Sequence, residues 1–127
     1  MASVLILDGD RRSCRQLYAL LGARFKARAF HAVFRAFNHL KRHASDVVVV
    51  KISGTDASAT AMLTWLRRHG LQIPMIVLLD HGASHDAQPI RQLGALRVLR
   101  WPLTNVELLS TVRAAAARNV KCMDRSA

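Results

Sequence analysis

Residues 3–8, SVLILD, form an apolar run that ends in turn chemistry and predicts a β-strand. Behind it, Cys14, Leu17, Tyr18 and Leu21 recur at the spacing of one helical face, and Gly22 marks the stop. The pattern then changes period. In residues 24–30, Phe25, Ala27 and Ala29 alternate with Arg24, Lys26 and Arg28, which predicts a half-exposed strand whose charges suit a sheet edge. Val33, Ala36, Phe37 and Leu40 return to helical spacing. Residues 46–52, DVVVVKI, read as a strand buried on both faces. A third helix follows, with Met62, Leu63 and Leu66 inward and Gly70 as its stop. Residues 74–79, PMIVLL, predict a fourth strand, and DHGASH a loop. A short helix comes next, capped by Asp86 and tolerating Pro89 only in its first turn. Residues 96–101 predict the last strand, and Thr104 with Glu107 forms a capping box that opens a long final helix.

Strand and helix thus alternate five times, the signature of a parallel sheet covered by helices on both faces. The valine strand and the first strand are the most continuously apolar and belong in the centre. The charged strand 24–30 belongs at an edge. The expected fold is a flavodoxin-like three-layer α/β sandwich with strand order 2-1-3-4-5, whose functional crevice lies at the carboxyl ends of the strands. Asp8, Gly9, Asp10, Lys51, Leu79, Asp80, Trp101 and Pro102 fall there.

The chain has 127 residues, about half of them hydrophobic, which suits one domain with a full core. Residues 1–120 are assigned to that domain and 121–127 to a polar tail or the start of a linker. No apolar run approaches the ~20 residues of a membrane helix, and the first residues lack the basic, long-apolar layout of a signal peptide. A cytoplasmic protein with no membrane partner is expected. Cys14 and Cys122 make no disulfide framework and have no metal-ligand spacing. Nineteen Lys and Arg against eight Asp and Glu give a formal net charge of +11. The basic residues, mostly Arg, are spread along the chain, without the clustered stripe of a dedicated nucleic-acid binder.

No enzyme is expected. The first turn, DGDRRS, carries one glycine and two acids in place of G-x-G-x-x-G, and no P-loop or strand-end nucleophile with a paired base is present. His39 and His43 stand i, i+4 on one helix, but no further ligands stand at convincing spacing, so solvated histidines are the reading and no metal or cofactor is expected. His81 and His85 flank a polar loop at the crevice mouth. Arg11, Arg12 and Arg15 open the first helix, where cations oppose the helix dipole, and so form a possible partner-binding site.

Four segments in order resemble the receiver domain of two-component response regulators, over nearly the whole chain. VLILDGD resembles the first strand, which in that family ends in adjacent acids. DVVVVK resembles the third, where an aspartate opens the strand and another, five residues on, accepts the phosphoryl group. IPMIVLL resembles the fourth, which ends in Thr or Ser, and GALRVLRWPL resembles the segment that carries a Lys-Pro pair. The resemblance implies a degenerate phosphorylation site. Lys51 stands at the acceptor position, Gly9 at the second acid, Leu79 at the hydroxyl, Trp101 at the lysine and Val98 at the aromatic switch position. Asp8 matches the first acid, and Asp10 lies one residue beyond the second. An ammonium cannot form an acyl phosphate, and a hard cation needs oxygen ligands.

The expectation is a pseudo-receiver lacking the phospho-acceptor aspartate. In it Lys51 pairs with Asp8, Asp10 or both, and Trp101 caps the same pocket. Its function would be that of a phosphorylation-independent regulatory or protein-interaction module in bacterial signalling, as the N-terminal domain of a transcription regulator. The alternatives are a stand-alone adaptor for an acidic protein and a basic domain that binds nucleic acid directly. Partners would be a protein or an attached effector domain, with DNA reached only through that effector and a homodimer possible. Receivers signal through the face of the fourth helix, last strand and last helix. Here that face carries Arg91, Arg97, Arg100 and Arg113, with Asp86 and Glu107 its few acids.

Overall fold

The structure, a computed structural model, describes residues 1–53, 56–80 and 87–126. Five strands and five helices alternate: β1 (Ser3–Asp8), α1 (Arg11–Gly22), β2 (Lys26–Phe30), α2 (Val33–Arg42), β3 (Val47–Ile52), α3 (Ser58–Arg68), β4 (Met75–Leu79), α4 (Ala87–Gln92), β5 (Arg97–Arg100) and α5 (Asn105–Ser126). The sheet runs β2-β1-β3-β4-β5, and every pairing is parallel. This is the flavodoxin-like fold and order expected from the sequence.

Strand alternation sorts the core into two layers. Val4 and Ile6 of β1, Val47 and Val49 of β3, and Ile76 and Leu78 of β4 pack under α1 and α5, against Leu17, Leu21, Leu108 and Val112. Leu5, Leu7, Val48, Val50 and Val77 face the other way, against Ala36 and Leu40 of α2, Met62 and Leu66 of α3 and Ile90 of α4. All six residues of β3 are buried, whereas β2 and β5 at the two edges are only partly so. Each fully buried Val, Leu or Ile contributes roughly 1.5–3 kcal/mol relative to exposure, so β1, β3 and β4 carry most of the core.

Several boundaries move from the sequence pattern. β2 starts at Lys26 because Arg24 and Phe25 donate their N–H groups to the Leu21 carbonyl and belong to the exit of α1. Tyr18, expected on the inner face of α1, is half exposed, because Cys14, Leu17 and Leu21 already fill the space against the sheet. Thr104 caps α5 by accepting the Glu107 N–H at 3.1 Å. The expected polar tail at 121–127 is helical as far as Ser126. Asp86, His81 and His85 lie outside the described residues, as do the surroundings of the Cys122 side chain. α2 and α3 are tied together by the stacked rings of Phe37 and Trp65, 4.8 Å apart at 6°. Among the described residues no helix is long and apolar enough to cross a membrane.

Candidate functional site

The carboxyl ends of β1, β3 and β4 bring three charges together. Asp8 lies opposite Lys51 in the β1–β3 register, and Asp80 follows Leu78, the β4 partner of Lys51, by two residues. Residues two apart in a strand share a face, so all three point to the α1–α5 side. Lys51 Nζ lies 3.0 Å from Asp80 Oδ2 and 3.9 Å from Asp8 Oδ1. Lys51 and Asp8 are each only 2% exposed, while the Asp80 side chain keeps 27% of its surface in solvent. The ammonium is therefore held between a sealed carboxylate and one at the mouth.

Asp8 is held by more than the lysine. Its Oδ1 accepts the Asp10 N–H at 2.9 Å, and its Oδ2 accepts the hydroxyl of buried Ser13. The Asp8 carbonyl oxygen can only accept, so His31 Nδ1, 3.0 Å away, carries the proton and donates. Burying a carboxylate is tolerable when its lone pairs are satisfied in this way. Cys14, in the same layer, has its thiol pKa pushed up by burial first and then by the negative charges of Asp8 and Asp10. It is a packed thiol rather than a nucleophile.

Of the residues expected at the site, Asp8 and Lys51 meet. Asp10 does not join them: it is the N-cap of α1, and its Oδ1 accepts the Arg12 N–H at 2.9 Å. Gly9 has no positive φ, and the nearest atom to a Cβ placed there is the His31 carbonyl oxygen at 3.9 Å, so the backbone does not demand glycine. Leu79 pairs with Ile52 and packs in the α2–α3–α4 layer, on the face opposite Lys51. Val98 is buried in that layer too. Trp101, half-buried, packs on the α1–α5 layer that also holds the charge cluster, and its backbone N–H donates to the Leu79 carbonyl at 2.8 Å. The Trp101–Pro102 peptide is cis. Arg11, Arg12 and Arg15 are exposed on the first turns of α1.

Two participants escape the sequence reading. Asp80 lies in the crevice by position, but its partnership with Lys51 shows only when face parity is followed past the end of β4. Ser13 shares the i, i+4 row with Leu17 and Leu21, the one signal that it turns inward.

The donor set does not fit a divalent cation. Both Asp8 oxygens already accept protein hydrogen bonds, Gly9 offers no side chain, and the Lys51 ammonium stands 3.9 Å from Asp8 Oδ1. A hard dication needs several oxygen ligands and would face this fixed positive charge. Among the described residues no group of three or more His, Cys, Asp or Glu gathers elsewhere. Among the described residues His39 and His43 have no third such ligand beside them; their rings lie 4.9 Å apart.

No protein-family model matches the sequence, and no curated protein matches it. Solved structures do match in shape. The signal receiver domain of a putative LuxO repressor protein from Vibrio parahaemolyticus superposes with a TM-score of 0.85 at 17% identity, over 98% of this chain and 96% of that one. Full-length FixJ from B. japonicum gives 0.81 at 21% identity, over 93% of this chain and 59% of its own. NtrX from Brucella abortus gives 0.84 at 16% identity, over 99% of this chain and 29% of its own. The chain has the fold of response-regulator receiver domains, with a buried lysine–aspartate cluster at the carboxyl end of its sheet.

Proposed function

We propose that this chain is a pseudo-receiver: a regulatory, protein-interaction module in bacterial signal transduction whose state does not depend on phosphorylation. One observation carries the reading. The end of β3, where the resemblance places the phospho-acceptor carboxylate, holds Lys51, buried and paired with Asp80 and Asp8. An amine there offers no carboxylate to form an acyl phosphate, and its charge already neutralises the acids that a metal ion would otherwise bridge.

Two of the matching structures are much longer than this chain, which covers 59% of one and 29% of the other. Units of this fold therefore occur inside larger proteins. That supports a role coupled to an effector domain, such as that of a transcription regulator, or to a separate partner protein.

The test is addition of beryllofluoride with Mg²⁺ to the isotope-labelled protein, followed by amide resonances. The expected result is no shift at Asp8, Lys51, Asp80 or along β5. Saturable shifts at those residues would overturn the reading.

A further inference from the structure

The outer edge of β2 is the floor of a basic groove. Among the described residues β2 ends the sheet and pairs only with β1. Lys26 donates its N–H inward to the Ala2 carbonyl. Backbone groups of successive strand residues point to opposite sides, so Ala27 and Ala29 turn theirs to the open edge. Both carry the smallest chiral side chain, which leaves that backbone accessible. On the α1 side a cleft of about 410 Å³ is lined by Arg11, Arg15 and Arg28. On the α2 side one of about 970 Å³ is lined by Arg11, Arg35 and Arg42. Ala29, Phe30 and His31 form the wall the two clefts share. Among the described residues lining either cleft there is no Asp or Glu.

We propose that this edge docks an extended acidic segment of a partner protein as a sixth strand. Main-chain hydrogen bonds to Ala27 and Ala29 would fix its register, and its carboxylates would meet the arginines on both sides. Strand addition to an open edge is a general mode of peptide recognition, with the backbone supplying affinity and the flanking side chains specificity. The same charges select the partner. Lys26 and Arg28 would repel a second copy of this edge, the usual protection of an exposed strand, but attract an acidic one. A nucleic acid would satisfy the arginines and leave the strand edge unmatched, so the open backbone favours a peptide. The five residues of β2 span about 16 Å, enough for a partner strand of comparable length.

This inference rests on reading the chain as a protein-interaction module, yet the two fail separately. Beryllofluoride shifts would remove phosphate independence and leave the groove's binding measurable. The probe is a fluorescein-labelled octapeptide of two Glu-Glu-Val-Val repeats, which shows carboxylates on both faces of an extended strand, followed by anisotropy and by amide shifts. The expected result is saturable binding with shifts at residues 27–30. Binding should weaken about tenfold in an Arg28→Glu/Arg35→Glu variant and change less than about threefold for Arg113→Glu on α5. The same peptide N-methylated at every residue should also bind about tenfold more weakly, which tests strand addition without altering the protein. Absence of binding, or equal binding of the N-methylated peptide, would overturn the proposal. So would tight binding of an oligothymidylate that the peptide cannot displace.

Discussion

A lysine in the interior of a sheet is expensive unless a charge answers it, and here two do. Lys51 sits between Asp8 and Asp80, and Asp8 is further fixed by Ser13 and the Asp10 N–H. Replacing Lys51 by Met removes the cation and leaves the acids uncompensated. Because Asp80 is partly solvated and Asp8 keeps two donors, the cost should lie near the lower end for a broken buried pair, roughly 3 kcal/mol. Urea unfolding of Lys51→Met reads this directly, and adding Asp8→Asn should recover part of the loss. A neutral Lys51→Met would mean that the ammonium is not held by these acids in solution. At this scale the sequence was half legible. A lysine closing a valine strand, beside a strand ending in acids, pointed to a pair. The choice between Asp10 and Asp80 was not readable, because it turns on Asp10 being spent as a helix cap while Asp80 shares the face of Lys51.

Among the elements, α2 shows how a surface helix acquires a pH dependence. Its inner row, Ala36 and Leu40 with Val33 and Phe37, packs as the 3.6-residue period predicted. His39 leans off that row onto Phe30 of the edge strand, with ring centroids 5.2 Å apart, and meets His43 one turn on. Its pKa is lowered, first by burial and then by the charges of His43 and Arg28. A lowered histidine pKa means the unfolded chain binds more protons between the two values. Stability is therefore fully present above the ordinary value of about 6.5 and is lost as pH falls through the folded one. Thermal unfolding from about pH 7.5 to pH 5 should show a decline that is shallower in His39→Gln. An identical decline would assign the effect to other groups. The helix was visible in the sequence, whereas the contact with β2 was not, since period alone does not say what lies beside a helix flank.

Taken whole, the molecule concentrates its stability in the middle of the sheet. β1, β3 and β4 are sealed between the two helix layers, while β2 and β5 keep an open side. Amide exchange should be slowest at residues 47–50 and 76–78 and clearly faster at 27–30 and 97–100, following burial and ladder position. Uniform protection across the five strands would contradict this layering. By itself the sequence determined the alternation of elements, the two central strands, the charged edge strand and most inward positions of the helices, Tyr18 excepted. Each of these follows from hydrophobic period and from which segments can tolerate water on one side. Tertiary structure alone decided which distant charges meet. Arginines from α1, β2 and α2, scattered along the chain, converge on one edge only after β2 takes its place outside β1. Asp80 reaches Lys51 only through the β3–β4 register. Hydrophobic period is a local property of the chain, whereas a charge cluster is set by register and packing between segments far apart in it.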